Sequence, residues 1–151
     1  MVRMKFSYEM DIGRVTFVEE SGAITHLTLA EVGTAQEKET PLIREAYQQL
    51  TEYLAGTRKV FDLPLAPKGT AFFREAWQAL LTIPYGETRS YQQMAEQIGK
   101  PKAYRAFGMA NSKNPIWIMI PCHRVIGADG KLVGFGGGLD LKQRLLDLEK
   151  R

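Results

Sequence analysis

Residues 90–127 read SYQQMAEQIGKPKAYRAFGMANSKNPIWIMIPCHRVIG and hold the chain's single cysteine, Cys122, between a proline and a histidine. Ser90 is placed to cap a helix through YQQMAEQI, with Gly99 as its stop, and Pro101 starts a second helix through KAYRAFGMAN. Two short helices around a glycine-containing turn are a helix-turn-helix candidate, although most such pairs only pack against their surroundings. Asn114-Pro115 signals a turn, and IWIMI behind it is apolar and β-branched enough for a buried strand. Pro121 interrupts sheet pairing, so Cys122 is expected where that strand leaves its sheet, rigidly held and still reachable.

One cysteine cannot form an internal disulfide, and with only His26 and His123 beside it a cysteine/histidine zinc site has too few ligands. Cys122 is then a small core filler or a nucleophile. An unperturbed thiol is only about 3% thiolate at pH 7, so a nucleophile needs a base or a positive charge. His123 and Arg124 adjoin it, but neighbours in an extended chain point to opposite sides. A bridging water or a sharp turn is required to bring the imidazole to the sulfur.

The charge is unevenly spread. Residues 1–84 carry 9 basic and 11 acidic side chains, whereas residues 85–131 carry 7 and 3. The excess around Cys122 suits an anionic partner, and a solvated basic face is the competing explanation. No uncharged apolar run approaches the roughly 20 residues of a membrane helix, and the N-terminal residues lack the apolar core of a secretory signal, so the expected location is the cytoplasm.

Outside the central stretch, MKFSYEM, RVTFVEE and AITHLTLAE read as strands, the last two joined as a hairpin across Ser21-Gly22. GTAQEKET, residues 33–40, reads as a loop. Pro41 opens a helix through LIREAYQQLTEYLAG with Leu42, Ala46, Leu50 and Leu54 on its apolar side. The proline-containing TRKVFDLPLAPKG is an extended connection, and the domain boundary is set near its end, giving domains 1–67 and 68–151. Thr70 caps a helix through AFFREAWQALLTI, which stops at Pro84-Tyr85-Gly86. The fold class is α+β: a small N-terminal antiparallel sheet with a helix, then a mainly helical C-terminal domain with a helix-turn-helix and a short strand leading to Cys122. His26, in an alternating strand, reads as structural.

On the second helix of the pair, a 100° step puts Ala103, Ala106, Phe107 and Ala110 inward and Lys102, Arg105, Gly108, Met109 and Ser112 outward. Basic and very small residues together would let a nucleic-acid backbone approach closely, with few side chains able to read base edges. That face suits sequence-tolerant binding, a minor-groove approach among the options, and an ordinary solvent-facing helix side is the competing reading, which Gly108 alone speaks against. In the terminal segment LDLKQRLLDLEK, Leu141, Leu145 and Leu148 form a stripe. Glu149 falls between Leu145 and Leu146, where a carboxylate needs a partner, and His123 is the candidate. Lys142 lies at nearly the same angle as Glu149, so a solvated flank competes with that relay. The glycines after Phe135 suit a pocket loop that supplies N–H donors, or a plain connector.

Together SYQQMA, RAFGMANSKNP, IPCHRVIG, GFGGG and LLDLE make the chain resemble the O6-alkylguanine-DNA alkyltransferase family, from about Leu42 to Glu149, with FDLPLAPKGTAF and IPYGETRSY in order. The resemblance implies a cofactor-free, single-turnover repair protein that flips alkylated guanine from double-stranded DNA through a minor-groove helix-turn-helix and transfers the alkyl group irreversibly to Cys122. It implies His123 as water-linked base, Glu149 as its orienting acid and Asn114 as support of the active-site turn. Tyr91 would assist the purine as hydrogen-bond or proton donor and also touch DNA. Arg105 would fill the gap left by the flipped nucleotide, with Lys102, Ala106 and Gly108 along the DNA. Val125, Phe135 and Gly136 would line the base pocket with Cys122. Two departures stand out: Phe135 where many members carry tyrosine, and Gly136 where some carry serine. Some relatives hold zinc in the N-terminal domain; with only His26 there, none is expected here. The implied state is a monomer, with cooperativity on DNA left open. The rival readings are an alkyltransferase-like DNA-binding protein, a class that lacks the acceptor cysteine, a cysteine hydrolase and a helix-turn-helix regulator.

Overall fold

The computed structural model describes residues 2–132 and 135–150. The chain forms two compact units: the first runs through Lys68 and takes back Pro115–Met119, and the second contains Gly69–Asn114 and the residues from Ile120 onward.

In the first unit, β1 (Arg3–Met10), β2 (Gly13–Glu20) and β3 (Ala23–Thr28) form an antiparallel sheet. The β2–β3 hairpin turns on Ser21 (φ 54°) and Gly22 (φ 78°). Two positive φ angles in a two-residue loop match the twist of the flanking strands, and glycine takes such an angle without penalty. The expected loop at 33–40 contains a further strand, β4 (Gln36–Glu37), paired parallel to β1 at Met4 and Lys5. Two residues carry no readable alternation, and the approach is held by the chain before it: Arg3 donates to the Val32 and Thr34 carbonyls and Lys5 to that of Gly33.

Helix α1 (Pro41–Leu54) is capped by Thr40, whose hydroxyl accepts from the Ile43 amide. Its buried residues are Ile43, Ala46, Gln49, Leu50 and Tyr53, so the stripe is not the one expected through Leu42 and Leu54. A strict four-residue step drifts 40° per turn from the 3.6-residue helix, whereas steps alternating three and four stay on one side. Tyr47 on this helix stacks on Tyr8 of β1, with ring centroids 3.9 Å apart.

The edge of β3 is met by two passing segments. Ile24 exchanges backbone hydrogen bonds with Pro64 and Ala66, and Leu27 with Pro115 and Trp117. The strand expected at IWIMI is therefore a single bridge between Ile116 and Leu27. It ends because Ile118 takes φ 73° and the Met119 amide turns back to the Trp117 carbonyl at 2.8 Å. A positive φ is rare for a β-branched residue and incompatible with an extended ladder.

The second unit comprises α2 (Ala71–Leu80), β5 (Arg89–Ser90), α3 (Tyr91–Gln97), α4 (Tyr104–Ser112), a 3-10 turn at Cys122–Arg124, β6 (Val125–Ile126) and α5 (Leu139–Glu149). Thr70 caps α2, and its buried Trp77 donates from the indole nitrogen to the Ala110 carbonyl at 2.8 Å, tying α2 to α4. Ser90 caps α3 in a reciprocal box with Gln93. Helix α4 begins at Tyr104, three residues later than Pro101 suggests, because the Ala103 amide first closes a turn onto the Lys100 carbonyl. Phe107 and Ala110 are buried as expected and Asn111 joins them, whereas Ala106, expected inward, is exposed. Strands β5 and β6 pair parallel, Arg89 with Val125 and Ser90 with Ile126. No described helix is long and apolar enough to cross a membrane.

A seven-residue helix depends heavily on its cap. Ser90→Ala should cost about 1 kcal/mol, read as a lower urea midpoint at unchanged slope. An unaltered midpoint would show the box to be idle.

Candidate active site

Cys122 is presented by two consecutive turns. Pro121 (φ −79°, ψ 63°) lies at the centre of an inverse γ-turn closed by the Cys122 amide on the Ile120 carbonyl at 2.7 Å. The proline ring holds that φ in advance. The 3-10 turn at Cys122–Arg124 follows, with the Arg124 amide on the Pro121 carbonyl. Two asparagine amides pin the bend: Asn114 Nδ2 donates to the Ile120 carbonyl at 2.8 Å, and Asn111 Nδ2 to the Cys122 carbonyl at 3.3 Å. The sharp turn that adjacency of Cys122 and His123 demanded is thus present, though no strand leads into it.

Cys122 is only 3% exposed. Burial pushes its pKa up to about 11, against the opposing pull of Asn114 and of the Lys142 charge. His123 is fully buried, with Nε2 2.7 Å from Glu149 Oε2. An ionised carboxylate only accepts, so the neutral ring carries its proton on Nε2 and Nδ1 is its basic nitrogen. Burial holds His123 below the usual histidine range, although Glu149 pulls the other way.

Glu149 has more partners than His123 alone. Arg124 donates to Oε1 at 2.8 Å and to Oε2 at 3.0 Å, and the Gly86 amide to Oε1 at 3.1 Å. Arg124 also donates to the Ile83 carbonyl at 2.7 Å, and its guanidinium lies 5.7 Å from the Tyr85 ring centroid. One carboxylate therefore joins the end of α5, the 83–86 turn and the cysteine turn.

Lys142 overturns the solvated-flank alternative: it is fully buried, and Nζ donates to the Val125 carbonyl at 2.6 Å. Burial lowers its pKa, and the Cys122 sulfur opposes that shift. The sequence held the signal, since the seven-residue spacing that buries Glu149 buries Lys142 with it. The sequence offers Arg124 only as a positive neighbour of the thiol and gives no signal for Asn111; neither has a periodicity that reveals it.

Tyr91 opens α3 directly after β5, whose pairing with β6 draws it toward the cysteine turn. Its half-buried hydroxyl has a raised pKa, first through burial and then through the Cys122 charge, with Asn111 opposing. Gly108 faces the same ring: a Cβ there would meet Tyr91 carbons at 3.8 Å. Lys102, Arg105 and Ala106 are exposed. Phe135 and Gly136 lie in a turn closed by the Gly138 amide on the Phe135 carbonyl, while Val133 and Gly134 of the same loop lie outside the described residues. Among the described residues, no group of three or more His, Cys, Asp and Glu side chains could hold a metal.

Residues 71–151 match the family described as 6-O-methylguanine DNA methyltransferase, DNA binding domain, and residues 5–67 match its ribonuclease-like domain. The chain belongs to the 6-O-methylguanine DNA methyltransferase family. It is similar to the constitutive methylated-DNA--protein-cysteine methyltransferase of Bacillus subtilis, 46% identical over 152 residues that cover 94% of this chain and 92% of that one. The Mycobacterium leprae methylated-DNA--protein-cysteine methyltransferase is 47% identical, covering 95% and 90%. Among solved structures, Mycobacterium tuberculosis OGT in complex with DNA superposes with a TM-score of 0.91 at 45% identity, covering 97% of this chain and 92% of that one.

With a thiol pKa about 11, labelling of Cys122 by iodoacetamide should rise about tenfold per pH unit from pH 7 to 10. Lys142→Met should move the profile to higher pH. A plateau below pH 9 would contradict the assignment. Because the folded pKa is raised, its contribution to stability is present below about pH 9 and fades as the pH climbs toward 11.

Proposed function

We propose that this protein repairs DNA by flipping O6-alkylguanine out of the duplex and transferring the alkyl group, once and irreversibly, to Cys122. The observation that carries the reading is the chain's lone thiol, buried in a turn pinned by Asn111 and Asn114 beside the His123–Glu149 pair.

A thiol this hard to ionise is best deprotonated as it reacts. His123, held by Glu149, takes the proton through a water while the sulfur attacks the alkyl carbon. One carbon–oxygen bond breaks as one carbon–sulfur bond forms, the bonding electrons leave on O6, and Tyr91 supplies a proton or hydrogen bond so that guanine departs neutral. Tyr91 then recovers its proton, and the net transfer runs from thiol to guanine. The resulting thioether has no ready leaving group, so the protein acts once. No cofactor enters.

The Val125 carbonyl is suited to read the base. A carbonyl oxygen has two lone pairs, and Lys142 engages it on one side, fixing its direction and leaving acceptor capacity for a guanine amine. Phe135 offers a stacking wall and Gly136 a backbone donor. On DNA, we place α4 in the minor groove, with Arg105 in the vacated stack, Lys102 on phosphate, and Ala106 and Gly108 permitting close approach. The protein acts as a monomer in the cytoplasm. The alkyltransferase-like alternative lacks an acceptor cysteine and is not favoured by a chain that has one.

Intact-mass analysis after incubation with a duplex containing O6-methylguanine should show one added methyl group per chain, and none in Cys122→Ala. Loss of the lesion without that mass gain would point to hydrolysis; an unchanged protein and an intact lesion would reject the reading.

A further inference from the structure

Helix α4 carries an unusual exposed flank. Among the described residues six large apolar side chains are exposed, and two of them, Tyr104 at 41% and Met109 at 54%, share this nine-residue helix with Arg105. Of the other exposed arginines, Arg14 pairs with Glu9 and Arg44 with Glu39. Arg105 makes no ion pair and no hydrogen bond among the described residues. Its recorded neighbour is an aromatic face: the guanidinium carbon lies 5.9 Å from the centroid of the Tyr104 ring, within cation–π range.

A free arginine samples many rotamers and loses that freedom when it enters a confined space. A ring beside it narrows the choice beforehand, without the desolvation cost that a carboxylate partner would impose when it had to be given up. We propose that Tyr104 is a positioning residue for repair of duplex DNA, holding the Arg105 guanidinium in the pose from which it enters the space left by the flipped base. The inference rests on the repair reading above and on the place of Arg105 in it.

The readout is the ratio of single-turnover transfer rates from duplex O6-methylguanine and from the free base, which needs no flipping. Tyr104→Ala should lower that ratio roughly two- to fivefold, the range that an exposed cation–π contact converts to. Tyr104→Phe, which keeps the ring, should restore it, as a merely structural hydroxyl contact would not. Arg105→Ala should lower the ratio at least as far, and the double variant should fall no further than Arg105→Ala alone. A wild-type ratio in Tyr104→Ala beside a lowered one in Arg105→Ala overturns the proposal, as does an additive double variant. A wild-type ratio in Arg105→Ala removes the wedge itself and Tyr104 with it, whereas failure of the repair reading shows separately, as no methyl on Cys122 from either substrate.

Discussion

The second unit is organised around a buried carboxylate. Glu149 receives the Arg124 fork and the His123 imidazole from the cysteine turn and the Gly86 amide from the 83–86 turn. Taking a carboxylate and a guanidinium out of water costs several kcal/mol per ion, and only close to complete hydrogen bonding offsets it. Here the charge pair is fork-shaped and the remaining lone pairs are met. The terminal helix, the 83–86 turn and the cysteine turn are thereby fixed to one another.

That arrangement explains why His123 is a base rather than a standing cation. Arg124 already balances the Glu149 charge, so a protonated His123 would place a second buried cation beside a single carboxylate. The imidazole stays neutral and oriented, with Nδ1 as its basic atom. The thiol is likewise kept protonated by burial, with Asn114 and Lys142 only partly opposing. A resting thiol of this kind is protected from stray electrophiles and oxidants, since the thiolate is the reactive form. Reaction is then tied to the arrival of a substrate in contact with the sulfur.

Much of the fold is legible where local chemistry speaks: the caps at Thr70 and Ser90, the Ser21-Gly22 turn and the proline at the start of α1 all act within four residues. The strand expected at IWIMI failed because composition does not reveal that Ile118 turns left-handed. β4 and the β5–β6 pair escaped notice because two-residue strands have no period. For the site, the cysteine, its histidine and Glu149 emerge from motif and helical phase. Helical phase marks Lys142 as buried with Glu149 but not what it holds; Lys142, Arg124 and Asn111 act through backbone carbonyls or a shared carboxylate, and those partners are set by tertiary placement.

The Glu149 charge, and not merely its shape, holds the second unit together. Glu149→Gln keeps size and one acceptor oxygen but leaves Arg124 buried without a counter-charge. Equilibrium unfolding in urea should show a loss of about 3–5 kcal/mol, the range for breaking a buried ion pair. A loss below about 1 kcal/mol would mean that hydrogen bonding alone suffices and that the carboxylate is not the keystone.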